Sequence, residues 1–271
     1  MKDFYTKIDL LNQLKQLNVP KDKPVIVHTS LKAVGNVEGG GQTLLDALIE
    51  HVTSDGGLLV VPTHTFVNYY RYKKKISLDF NDFKPCVGMF PTIASADPRG
   101  KTALNPTHSV TVFGNPDKVE KFIACEKFVD TPTSPKGSYG KLFDLEGSVL
   151  LIGVGQDKNT YLHCVEEMLD VPNRISKDKI TLGVKFRDGT IFEKETYYMY
   201  SENIYDPSEY FTKYEPAFRH HGAIIDGVIG NAKTQLCSVV KMTSVFKTIR
   251  EKSGGIELLS DHTPLNEKWY K

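Results

Sequence analysis

Four short segments bring ionisable groups, hydroxyls and glycines to places where chemistry is commonly done. In the first, Val27-His28-Thr29-Ser30-Leu31 runs an apolar stretch into two hydroxyls, and Gly39-Gly40-Gly41 follows. Such an end presents backbone N–H groups to a phosphate or an amide oxygen. It also reads as a tight turn with capping residues. It is not a P-loop, because no Gly-Lys-Ser/Thr follows the glycines. In the second, Pro62-Thr63-His64-Thr65 sets a histidine directly after another apolar run, to line a pocket or to cap the run. In the third, Asn105-Pro106-Thr107-His108-Ser109-Val110 is a turn leading into a strand. His108 there is either a base, a hydrogen-bonding residue or a structural one.

The fourth segment, Gly153 to Glu166 (GVGQDKNTYLHCVE), carries the most information. Gly153-Val154-Gly155 closes an apolar run. Asp157 and Asn159 are good N-cap residues for a helix over Thr160 to Leu169. In that helix His163 and Glu166 are three apart and share a face. A helix start disfavours positive charge, which suits a neutral base. A carboxylate on the same face fixes the ring tautomer. The bland alternative is a packed histidine. The pair also resembles half of a metal site, but no second HxxE or HExxH exists, so no metal is expected. There is no GxSxG elbow, which argues against a serine hydrolase.

Elements that would position these groups are legible around them. Apolar residues at helical spacing run from Asp9 to Leu17 and from Thr43 to Val52. Pro24 to His28 and Leu58 to Val61 are short apolar runs bounded by turn residues, hence buried strands. Further runs are Val110 to Phe113, Ser148 to Ile152, Ile180 to Val184 and Tyr197 to Tyr200, and Val239 to Arg250 reads as a terminal helix. Buried strands alternating with helices indicate an α/β layered sheet. The polar, aromatic and basic stretch from Tyr69 to Pro91 has no clear period, so a surface insertion is expected at about 68–90 in a single domain of residues 1–271. The 271 residues are 40 % hydrophobic and 25 % charged, enough for a buried core. A formal net charge of +1 argues against a dedicated nucleic-acid binder. No stretch approaches the ~20 apolar residues of a membrane span. The start, MKDFYTKIDLL, lacks the features of a signal peptide. Four separated cysteines without a CxxC pair fit a reducing compartment, so a cytoplasmic protein is expected.

Taken in order, the segments resemble the aminoglycoside 3-N-acetyltransferase (antibiotic N-acetyltransferase) family. The resemblance rests on Val27 to Leu31 with Val37-Glu38-Gly39-Gly40, on Asp55-Gly56-Gly57-Leu58-Leu59-Val60-Val61-Pro62 and on Asn105 to Val110. It continues through Ser134-Pro135-Lys136-Gly137-Ser138-Tyr139-Gly140-Lys141-Leu142, Gly153 to Glu166, and Gly227-Val228-Ile229-Gly230-Asn231-Ala232. Each motif alone is weak; six in register over about residues 5 to 250 are specific.

The resemblance implies a single-domain α/β/α sandwich with a mixed central sheet, unlike the GNAT acetyltransferases. It implies an N-acetyltransferase that uses acetyl-CoA and passes the acetyl group directly to an amine of an amino sugar, with no metal. His163 would be the base, with Glu166 or Glu202 orienting it and His108 nearby. His28, Thr29, Ser30 and Leu31, with Ser134 and Lys141, would line the CoA side, joined by Asn231 and Ala232. His64, Asp157, Asn159 and Thr160 would face the acceptor. Backbone N–H groups of the Thr29 to Leu31 turn, or the Ser30 or Thr160 hydroxyl, are candidates to stabilise the thioester oxyanion. The partners would be CoA and a small amine, with neither nucleic acid nor membrane; a homodimer is compatible with the sequence but not fixed by it.

Two departures bear on the acceptor. Family enzymes usually carry a histidine where Asn105 stands, and an acidic pair where this chain has Tyr200 and Glu202. In addition, Arg71, Lys73, Lys74 and Lys75 suit a phosphate or nucleotide better than a polycationic aminoglycoside. An amino sugar linked to a nucleotide, as in surface-polysaccharide synthesis, is the alternative acceptor. A CoA-binding protein without catalysis is the alternative from another class.

Overall fold

Three apolar runs without polar alternation form the middle of the molecule. The computed structural model describes residues 4–271; Met1, Lys2 and Asp3, the start of the stretch considered for a signal peptide, lie outside them. The strands are β1 (Pro24–Thr29), β2 (Leu58–Pro62), β3 (Ile76–Asp79), β4 (Lys101–Thr102) and β5 (Val110–Phe113). They continue with β6 (Ser148–Ile152), β7 (Ile180–Lys185), β8 (Ile191–Thr196), β9 (Ile224–Ile229) and β10 (Ala232–Ser238). Seven of them form one sheet in the order β4-β5-β2-β1-β6-β10-β9. β1 is parallel to β2 and to β6, while β5, β4, β10 and β9 join antiparallel.

Alternate side chains of a strand point to opposite faces, and here both faces are covered. Val25, Val27, Leu59, Val61, Leu150 and Ile152 pack into one core with Leu10, Leu14, Leu44, Leu45, Leu48 and Phe90 from the helices Lys7–Gln16, Gly40–Thr53 and Met89–Ala96. Ile26, Leu58, Val60, Val149 and Leu151 pack into the other with side chains of the helices Pro116–Ile123, Ser138–Asp144, Tyr161–Met168 and Val239–Lys252. The fold is thus an α/β/α sandwich on a mixed sheet. Each fully buried Leu, Ile or Val contributes about 1.5–3 kcal/mol of transfer free energy, so the central strands are its most strongly held part.

A second sheet, β3-β7-β8, stands apart from the first. The stretch read as a surface insertion supplies its edge strand: β3 pairs with β7, and Ser77 and Leu78 are buried. The strand expected at Tyr197 to Tyr200 is displaced. β8 ends at Thr196, and only Met199 makes an isolated bridge, to Ile175. β8 reads Ile-Phe-Glu-Lys-Glu-Thr, with charged side chains that hide it from an apolar-run criterion. The helix near His163 spans Tyr161–Met168, and its N-cap is Thr160 without a side-chain cap bond. The expected caps do not cap it: Asn159 Nδ2 donates to Gln156 Oε1 while its Oδ1 has no partner among the described residues, and Asp157 pairs with Lys158 at 2.8 Å.

Candidate active site

Strand order decides which histidines meet. His28 lies near the end of β1, His64 just after β2, His108 just before β5, and His163 on the helix after β6. These strands are neighbours in the order β5-β2-β1-β6, and β5 runs antiparallel to β2. All four histidines therefore come to the same end of the sheet. That is the end where open α/β sheets hold ligands.

The four differ in surroundings. His64 and His108 lie with ring centroids 4.7 Å apart, and Phe66 stacks on His108 at 5.3 Å. His64 Nε2 is 2.7 Å from the Tyr139 hydroxyl. Burial pushes the His108 imidazole down to about 3, with nearby His163 adding to the effect. Burial likewise pushes His28 down to about 4, and His64 well below its ordinary value. Three of the rings are thus held neutral by desolvation. His28 Nε2 and Thr29 Oγ1 are buried without a hydrogen-bond partner among the described residues. Buried polar atoms are almost always satisfied, so these two fit a polar ligand at the strand end.

His163 alone is held by a carboxylate. Its Nδ1 is 3.0 Å from Glu166 Oε2, and its ring lies 4.8 Å from that of Phe211. Glu166 is buried, and its Oε1 accepts from Arg174 Nε at 2.5 Å. Arg174 NH2 reaches both oxygens of Glu257, at 2.9 Å each. The side chain of His163 is 16 % exposed against 1 % for Glu166, so the ring is the accessible member of that pair, and Arg174 links the buried carboxylate to the more exposed Glu257. Of the two carboxylates left open by the sequence, Glu166 is the one bonded to the ring; Glu202 is exposed in a turn.

The expected CoA-side residues separate into two groups. Ser30 is spent on structure: its N–H donates to Ile152 O, and its Oγ caps the helix Leu31–Val34 by accepting from Ala33 N. Its N–H is therefore taken while its O–H remains a donor, and Thr29 Oγ1 is the hydroxyl there without any partner among the described residues. Ser134 Oγ accepts from Lys136 N, and Lys141 pairs with Asp144 at 3.4 Å on a half-exposed helix face. Asn231 and Ala232, by contrast, border a cavity of about 640 Å³ with Ala33, Gly153, Val154 and Gly155. Gly153 has φ +68°, and a Cβ there would lie 2.3 Å from that of Ala33. Only glycine allows this approach. The register pair Thr29↔Ile152 joins the cavity wall to the histidine end of the sheet.

Comparison with known proteins fits this geometry. The profile of the family described as "Aminoglycoside 3-N-acetyltransferase" matches residues 26–250. The chain belongs to the aminoglycoside 3-N-acetyltransferase family. It is 28 % identical over 172 residues to aminoglycoside N(3)-acetyltransferase IV of Salmonella, a match covering 64 % of this chain and 62 % of that relative. Among solved structures it resembles AAC-IIIb in binary complex with CoASH, with a TM-score of 0.78 and 22 % identity over 94 % of this chain and 99 % of that one. It also resembles a variant of AAC(3)-IVa in complex with a gentamicin, with a TM-score of 0.76 and 22 % identity over 94 % and 91 % of the two chains.

The residues missed by sequence reasoning are the supports of His163: Arg174, Glu257 and Phe211. Arg174 follows the helix in an irregular segment, and Glu257 is 83 positions further on. No spacing rule links them. Glu126, buried between Asn105 Nδ2 at 3.0 Å and Ser138 N at 2.6 Å, escaped for the same reason.

Proposed function

We propose that this chain is an acetyl-CoA-dependent N-acetyltransferase, working as one domain, that passes an acetyl group directly to a primary amine of an amino sugar. The single observation carrying the reading is the accessible His163 ring bonded through Nδ1 to buried Glu166, itself locked by Arg174. With Nδ1–H donating to the carboxylate, Nε2 is the free acceptor. The amine must be neutral to attack, so Nε2 takes its proton as the C–N bond forms. The thioester C–S bond then breaks, and the proton passes from His163 to the departing CoA thiolate.

Family membership supports the CoA donor, as do the CoA and gentamicin complexes of proteins sharing the fold. The fit of the residues supports it too. The cavity bordered by Gly153, Asn231 and Ala232 has the size of a small-molecule site. At the histidine end of the sheet, Thr29 Oγ1 and His28 Nε2 supply unused polar atoms. Holding amine and thioester together contributes on the order of 7 kcal/mol or more of barrier lowering.

The test is His163→Ala, assayed for CoA thiol release with amino-sugar acceptors and for acetyl-CoA binding by calorimetry. Turnover should fall by about 10²–10⁴-fold while acetyl-CoA still binds. Retained turnover in that variant would sink the assignment of the base.

A further inference from the structure

An aromatic ribbon leads away from the histidine cluster and ends in uncompensated positive charge. It begins at Phe66, stacked on His108 at 5.3 Å, and passes to Tyr70 at 5.6 Å. From Tyr70 it continues to Tyr69 at 5.9 Å and to Tyr198 at 6.3 Å, and from Tyr198 to Tyr200 at 6.5 Å. The ribbon is fixed by more than ring contacts: Tyr70 Oη accepts from Met199 N at 3.0 Å, tying the helix Phe66–Tyr70 to the segment after β8. Phe66, Tyr69, Tyr70 and Tyr198 are partly buried, and Tyr200 is exposed.

The basic turn that follows is built rather than loose. Lys74 N donates to Asn68 O at 2.9 Å, and Asn68 Nδ2 donates to Ser77 O at 2.8 Å. Lys73 is held at φ +53°, with its Nζ 5.0 Å from the Tyr69 ring centroid. Arg71, Lys73, Lys74 and Lys75 are all exposed, and none has an ion pair within 4.0 Å among the described residues. Asp82 feels the charge of Lys74 but is paired with Lys84 at 2.5 Å. At the far end of the ribbon, Ser201 Oγ is a buried oxygen without a partner among the described residues.

Rings stack on rings, and unpaired cations over aromatic faces attract phosphate oxygens. Polycationic acceptors call for the opposite, an acidic rim. We infer that this ribbon and its basic turn form the acceptor subsite, and that the acceptor is an amino sugar joined to a nucleoside diphosphate. Its amine would reach toward the histidines, its base and sugar would lie on the tyrosines, and its phosphates would meet Arg71, Lys73 and Lys74. The inference rests on the acetyl-transfer reading of the histidine site, and it specifies the substrate of that site.

Equilibrium binding in the presence of CoA tests it. The probes are a uridine diphosphate-linked amino sugar, the same amino sugar free, and gentamicin. The nucleotide-linked sugar is expected to bind at least about tenfold more tightly than the other two, as fits several charge-assisted contacts. Its affinity should fall with rising ionic strength, and by about tenfold or more in the triple variant Arg71→Gln/Lys73→Gln/Lys74→Gln. Failure of the nucleotide-linked sugar to bind overturns the inference, as does tighter binding of gentamicin or an affinity unchanged in the variant. Thiol release measured with the same three compounds separates the two readings. Turnover led by gentamicin removes the subsite and leaves acetyl transfer standing. Tight, salt-sensitive binding of the nucleotide-linked sugar with no thiol release from any acceptor leaves the subsite and removes acetyl transfer.

Discussion

Replacing Glu166 by Gln perturbs the site at one atom and changes no shape. In the native protein Oε2 meets His163 Nδ1 at 3.0 Å and Oε1 accepts from Arg174 Nε at 2.5 Å. A glutamine has one acceptor and one donor group where the carboxylate has two acceptors. Arg174 Nε is a donor whatever the pH, so the amide oxygen must face it, and the NH2 then faces Nδ1. Nδ1 must now accept, which puts the ring proton on Nε2, the atom proposed to take a proton from the amine. A wrong tautomer at a catalytic histidine costs up to about 10⁴-fold in a protease triad. A range of 10²–10⁴-fold, or about 2.7–5.5 kcal/mol on the barrier, is expected here. Stability should change less. The bond to Arg174 survives and Arg174 keeps Glu257, so a loss of about 1–3 kcal/mol is expected from the weakened charge-assisted bonds. The assay pairs initial rates of thiol release with thermal unfolding of the same preparation. A folded Glu166→Gln protein with activity within about tenfold of the native enzyme would refute the tautomer argument.

Four further outcomes follow from particular contacts. Arg174→Met strands buried Glu166 without its cation, so a loss of about 3–5 kcal/mol is expected in denaturant unfolding; a loss below about 1 kcal/mol would contradict the pairing. Asn105→Ala removes a side chain that accepts from Thr107 N and His108 N and donates to Glu126 and Pro132 O. About 2–4 kcal/mol should be lost, seen as a fall in Tm, and Asn105→Asp should not restore it, because a carboxylate would face Glu126. Gly140→Ala would put a Cβ 1.7 Å from Pro135 O, so soluble folded protein should not be recovered; a normal circular dichroism spectrum would refute this. Finally, His64 and His108 have folded pKa values depressed by burial, so the unfolded chain binds protons first. Their contribution to stability is fully present above about 6.5 and is lost as pH falls from there toward the folded value, about 3 for His108. The slope is on the order of 1.4 kcal/mol per pH unit for each group. His108→Phe should therefore narrow the stability gap between pH 7.5 and pH 5, and an unchanged gap would show that His108 is not buried neutral.

How much was legible in the sequence follows from where the forces act. β1, β2 and β6 were readable because a strand covered on both faces must be apolar throughout. β8 was not, because it pairs only with β7 and its buried positions are Lys194 and Thr196, whose partners are polar groups distant in sequence. β9 and β10 were visible as a glycine-containing motif but not as strands, since β9 is an edge whose Ile225, Asp226 and Val228 meet solvent. His163 with Glu166 was readable from helical spacing, a local property. The gathering of His28, His64 and His108 around it was implied only by the family resemblance and not by any local pattern, because it depends on the strand order β5-β2-β1-β6. The caps assigned to Asp157 and Asn159 failed because the helix begins one residue later, with Thr160 at its N-cap; Asn159 Nδ2 is bonded to Gln156, and its Oδ1 caps nothing. The roles of Arg174 and Glu257 are tertiary throughout, and no local pattern announces them.

The central claim is that His163 is the base that meets the thioester. A crystal structure of the protein with CoA bound tests it most directly. The account requires the CoA sulfur to sit beside the His163 ring, with the pantetheine arm along Gly153 and Ala232. A sulfur remote from both His163 and His108 would contradict the site and the reaction assigned to it.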